Sequence, residues 1–82
     1  MTDQKENTMN KENLKLLEAY YSKAEAYSIK RIKAAESNKA ARKLTQNWYD
    51  LSAQIRLAIF CVKHDKNNKI VEEMLEFAEL YR

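Results

Sequence analysis

The chain has 82 residues and contains neither glycine nor proline. No motif in it limits the fold as strongly as that absence. Tight hairpins in sheets use glycine to reach positive φ and proline to preset φ, so this chain is ill-suited to a hairpin-rich sheet. Its bulk is instead Ala, Leu, Glu, Lys, Arg and Gln, which lose little on entering a helix. The expected fold class is all-α. At this length it is a single domain, near the lower limit of what one hydrophobic core stabilises.

Apolar spacing divides the chain into segments. Residues 1–9 show no periodicity and read as a flexible N-terminal tail, with the helical domain over 10–82. Asn10 can cap a first helix over about 10–36, with Met9 and Leu14 spaced as a hydrophobic staple. Along it Leu14, Leu17, Tyr21, Ala24, Ser28, Ile32 and Ala35 recur at three- and four-residue steps, one helical face widened by Tyr20 and Tyr27. A second helix over about 39–64 carries Ala41, Leu44, Trp48, Leu51, Ile55, Ala58 and Val62 at strict alternating steps of three and four. The two seams are out of phase. Extending the first by heptads from Ala35 reaches Arg42 and Tyr49, not Leu44 and Trp48. The slip falls at Ser37-Asn38, two good N-cap types, and predicts a chain reversal there. With no glycine or proline to enforce it, one helix of more than fifty residues is the alternative.

A further row on the second helix, Tyr49, Ala53, Leu57, Phe60 and His64, leans apolar and predicts a helix sandwiched between neighbours. The polar connector "HDKNNK" follows, with Asn67 or Asn68 as cap. A third amphipathic helix over about 69–81 then presents Ile70, Met74, Phe77, Ala78 and Tyr81, broadened by Val71 and Leu75. Lengths decide the packing. Two helices of about 26 residues run roughly 39 Å, and one of about 13 roughly 20 Å. The expected architecture is a long antiparallel helical hairpin half covered by a short third helix. The half near the turn, with Tyr27, Leu44 and Trp48, lacks a third layer. Helices need tertiary packing, so self-association into a homodimeric helical bundle, or a docked partner, is expected there. Tyr27, Leu44, Trp48 and Tyr49 are the candidate oligomer interface.

Charge is distributed unevenly. The net charge is +3, but residues 30–43 hold six Lys and Arg against one Glu, and residues 70–82 hold four Glu against one Arg. Lys30, Arg31 and Lys33 precede the reversal, and Lys39, Arg42 and Lys43 follow it. These six are the candidate binding residues, because cations beside a helix N-terminus suit an anionic partner. A plain alternative is that they solvate the outer faces of two helices. Beyond a second copy of the chain, a protein partner is expected before nucleic acid, and for the cluster it would be an acidic or DNA-mimic-like protein. A nucleic-acid-binding regulator is the alternative, although no helix-turn-helix, zinc-finger or RNP signature accompanies the cluster.

Catalytic chemistry finds little support. Cys61 and His64 lie three apart, but a structural zinc needs four ligands and a Cys–His nucleophile needs an orienting third group. Cys61 sits in the apolar run "LAIFCV", so a buried thiol beside a helix-terminal His is expected. Glu18 and Glu25 are seven apart without an accompanying ExxH, and the missing glycines remove the usual phosphate-cradling loop. No enzyme activity, cofactor, metal or small-molecule substrate is expected. The lone cysteine, the polar N-terminus and the shortness of the apolar run point to a cytoplasmic protein with no membrane partner. The functional expectation is a small regulatory or inhibitory helical protein, of a kind frequent on phages and mobile elements, that binds a protein through its basic turn and aromatic seam. A purely structural oligomerisation module is a further alternative.

Overall fold

The computed structural model describes the backbone of residues 2–82 and the side chains from Asn10 onward. Three helices cover 85% of the chain, and no strand is present among the described residues. They are α1 (Thr2–Lys33), α2 (Asn38–Lys63) and α3 (Lys69–Leu80). The helix starts earlier than periodicity suggests. α1 is already helical at Thr2, so Asn10 lies inside it and does not cap it, and the residues expected as a tail are helical from 2 to 9. Nothing in residues 2–9 breaks a helix, and propensity alone lets one continue where there is no apolar stripe. Met1 and the Met9 side chain of the expected staple lie outside the described residues.

Residues 34–37 are not helical, so α1 and α2 are separate. The end of α1 tightens, with the Ala35 N–H bonding the Ile32 carbonyl at 3.2 Å. Ser37 is extended (φ −144°, ψ 159°), and its Oγ accepts from the Ala40 N–H at 3.1 Å, the N-cap of α2. The second connector works differently. Asp65 sits at φ 54°, where a glycine would be favoured, and the Lys66 N–H reaches back to the Cys61 carbonyl at 2.8 Å. Asn68 then caps α3, its Oδ1 accepting from the Ile70 N–H at 3.0 Å.

α1 and α2 pack on each other, and α3 packs on both. The interior is built from Leu17 and Tyr20 of α1, Ile55, Ala58 and Val62 of α2, and Met74 and Ala78 of α3. Ile55 and Leu17 are fully enclosed. At about 25 cal/mol per Å² of apolar surface removed from water, these side chains supply most of what holds the helices together. Both seams read from the sequence face inward along their whole length. Leu14 to Ile32 on α1, Ala35 just past its end, and Ala41 to Val62 on α2 are all buried or half-buried.

Burial along the seams is graded. α3 lies over the part of the α1–α2 pair remote from the turn and ends where the Tyr81 ring stacks on Tyr20, with centroids 5.8 Å apart and planes 9° from parallel. Lys23 Nζ donates to the Tyr81 carbonyl at 3.0 Å and ties that end down. From residue 21 to residue 51 no residue is buried. The molecule measures 56 × 20 × 15 Å, an elongated body with a sealed interior at one part of its length.

The second row of α2 is not sandwiched. Tyr49, Ala53, Leu57, Phe60 and His64 are all exposed. The one helix available, α3, fills the groove along the main seam and cannot also reach a row displaced around α2. Phe60 is covered only in part, by the His64 ring at 4.2 Å and by Lys66 Nζ at 5.6 Å from its centroid.

Candidate functional site

Where α3 stops, the groove between α1 and α2 stays open. It forms a cleft of about 530 Å³ running toward the turn, with Tyr20, Ala24, Tyr27, Leu44, Trp48 and Leu51 among its apolar and aromatic walls. α1 supplies one wall because Tyr20, Ala24 and Tyr27 share a helical face at steps of four and three. α2 supplies the other because Leu44, Trp48 and Leu51 are its inward seam. Tyr81 closes the end nearest the core. Trp48 leans on Tyr21, with centroids 5.4 Å apart and a 55° tilt, and Tyr27 lies farther along the same cleft at 62% exposure.

Two cations line this cleft, Lys23 and Arg31. Lys23 is engaged with the Tyr81 carbonyl. The Arg31 guanidinium sits 5.6 Å from the centre of the Tyr27 ring, a cation–π arrangement that holds the charge at the cleft wall. Ser28 and Asn47 add polar groups to the lining. Such a lining suits an apolar ridge carrying a carboxylate. Ligand-enclosing pockets bury most of a small molecule. Here every lining residue except Tyr20 is exposed or only half-buried, which describes a groove.

The structure brings some of the expected site residues together and separates others. Tyr27, Leu44 and Trp48 meet in the cleft, and Tyr49 does not. It is 60% exposed on the outer row of α2. Of the six cations, Arg31 enters the lining, while Lys30, Lys33, Lys39, Arg42 and Lys43 stand exposed around the turn. Lys30, Arg31 and Lys33 lie in the last turn of α1, where the helix dipole favours positive charge. Lys39 lies in the first turn of α2, which holds no acidic residue, so there the dipole opposes the charge, while Arg42 and Lys43 follow in the second turn. Among the described residues the one ion pair is Arg82–Glu79, at 3.4 Å, so none of the six cations is paired.

Reading the sequence missed Tyr20 as a buried residue and Tyr81 as the stopper of the cleft. The signal was there. Tyr20 widens the α1 stripe, Tyr81 continues the α3 stripe, and the two meet when a short helix folds back over a long one. Burial, and then the neighbouring Tyr81 phenol, push the Tyr20 pKa above its usual 10.0.

Cys61 and His64 diverge: Cys61 is buried, while His64 turns out onto Phe60. A smaller cavity of about 260 Å³ beside Cys61 is lined mainly by polar groups of the second connector and by Asn10 and Asn13. No helix among the described residues is long and apolar enough to cross a membrane. No protein-family model matches the chain, and neither do curated proteins or solved structures.

Proposed function

We propose that this is a non-catalytic helical interaction protein, regulatory or inhibitory in role, whose α1 and α2 form an antiparallel hairpin. Its free end, the arm beyond α3, docks an acidic amphipathic helix of a protein partner. The observation that carries this reading is the open cleft itself. It continues the groove that α3 occupies and combines Tyr27, Leu44 and Trp48 with the Arg31 charge. Exposed aromatic anchors next to cations are typical of residues that dominate protein interfaces. The unpaired cations around the turn add long-range attraction for an acidic partner and a faster encounter. One of them, Lys39, is held against the α2 dipole, a local cost that a bound anion would relieve.

Trp48 is the only tryptophan in the chain and lines the cleft, so its fluorescence reports occupancy directly. The test titrates a synthetic Leu/Glu amphipathic helical peptide and follows Trp48 emission. A saturable change is expected with this peptide and none with a Leu/Lys peptide of the same pattern. With the chain diluted until it is monomeric, no response to the acidic peptide removes the reading. The same titration with a mixed oligonucleotide at low salt addresses nucleic acid. A response that falls steeply with salt and is abolished by replacing Lys39, Arg42 and Lys43 with Ala would put nucleic acid in the protein's place.

A further inference from the structure

We propose that the helix this cleft accepts is α3 of a second copy, so that two chains close on each other about a two-fold axis and each covers the other's arm. The inference rests on the cleft being a helix-docking groove, and it names the occupant.

Over the core, the groove between α1 and α2 is filled by α3, and the cleft is that groove extended past Tyr81. From Tyr20 to Arg31 the cleft follows α1 for roughly 17 Å at about 1.5 Å per residue, and the 12 residues of α3 span roughly 18 Å. A groove that already holds one α3 has room for a second, end to end with the first.

Glu73, Phe77 and Leu80, spaced four and three apart, share one side of the helix. Phe77 is 45% exposed and Leu80 77% exposed, so an apolar pair with a carboxylate beside it faces away from its own core. This side of α3 has the ligand chemistry the cleft calls for.

The basic stretch 30–43 and the acidic stretch 70–82 lie at different places along the long axis of one molecule. Two copies laid antiparallel, with the axis passing between their Tyr81 ends, bring each basic arm over the other copy's α3. Phe77 and Leu80 then seat among Tyr27, Leu44 and Trp48, and Arg31 of one copy faces Glu73 of the other. Each copy uses the same two patches, so the assembly closes at two chains and does not propagate.

Arg31 and Glu73 are both exposed, so their reversal leaves the fold intact, which circular dichroism verifies. By sedimentation velocity the native chain is expected to be a dimer at micromolar concentration. Arg31→Glu alone and Glu73→Lys alone should each weaken the dimer by roughly tenfold or more, since like charges then meet twice per dimer. The double variant should recover native association. A chain that remains monomeric overturns the proposal, and so does a dimer indifferent to both reversals or a double variant no better than the singles. Glu73→Lys leaves the cleft unaltered, so this variant is also titrated with the acidic peptide. Peptide binding by the variant, combined with a monomeric native chain, removes self-pairing and keeps the docking reading. Failure of both removes both.

Discussion

The part of the molecule under α3 and the arm beyond it are built from the same two helices, yet only the first has a sealed interior. The α2 seam runs through both at unchanged spacing. Ile55, Ala58 and Val62 are buried, while Ala41, Leu44, Trp48 and Leu51, on the same face, are half-buried. Seam composition does not explain this, since Leu44, Trp48 and Leu51 are at least as apolar as Ile55, Ala58 and Val62. What differs is the third helix. Two helices in contact shield one stripe each and leave the groove between them open, and α3 closes that groove only as far as Tyr81. Burial here belongs to the layer and not to the residue.

The largest expected effect tests that statement directly. Ile55→Ala should destabilise by about 2–5 kcal/mol, the cost of emptying a fully enclosed aliphatic site. Leu44→Ala, on the same seam in the arm, should cost about 1 kcal/mol, because the site is already open on one side. Trp48→Ala falls between them. The full cost of a buried Trp, about 3–5 kcal/mol, does not apply to a half-buried ring. Urea titrations at one low protein concentration give the three values. Equal losses for Ile55→Ala and Leu44→Ala would mean that the arm is as well covered as the core.

Much of this contrast was legible in the sequence. The phase slip at Ser37-Asn38 located the break between α1 and α2, and the helix lengths pointed to the stretch without buried residues, because periodicity and rise per residue are local and geometric. Three things were not legible, each for a physical reason. The start of α1 at Thr2 follows propensity with no apolar stripe to mark it. The outer row Tyr49, Leu57 and Phe60 looked like a core face, because a sequence shows that residues are apolar and not whether a neighbour exists to cover them. Of the six clustered cations, only Arg31 turns into the cleft, which depends on a rotation of α1 that charge counting does not contain.

Next in size are the two helix caps, one in each region. Removing a capping side chain costs about 1 kcal/mol. Asn68→Ala should lower global stability by that amount, since α3 completes the core and its fraying opens the interior. Ser37→Ala should act mainly on the arm. Hydrogen exchange would show faster amides at residues 38–41 with a smaller change in the global unfolding midpoint. A uniform loss of protection in Ser37→Ala would show that arm and core unfold as one unit.

At the border between the regions, Tyr20 makes stability depend on alkaline pH. Its folded pKa lies above 10.0, raised by burial and then by the Tyr81 phenol, so the folded state binds its proton more tightly than the unfolded chain does. The associated stability is complete below pH 10 and is lost as pH rises through the folded pKa. Tyr20→Phe keeps the ring against Tyr81 and removes the ionisation. Between neutral pH and pH 11 the native chain should therefore lose more stability than the variant, and parallel curves would place Tyr20 in solvent instead of under α3.

The smallest effect compares the two connectors. The turn at 34–37 has no residue at positive φ, whereas the connector after α2 places Asp65 at φ 54°. A chain without glycine meets the left-handed demand of a helix end with an aspartate, whose short polar side chain tolerates that region at some steric cost. Asp65→Gly removes the Cβ clash but also gives the unfolded chain more freedom, and the two oppose each other. The net stabilisation should be a few tenths and at most about 1 kcal/mol. The same replacement at Ser37, which is extended and acts as a cap, gains nothing and loses the Oγ bond to Ala40. Paired thermal melts of Asp65→Gly and Ser37→Gly should therefore move in opposite directions. Movement in the same direction would mean that backbone strain does not distinguish the connector beside the core from the turn of the arm.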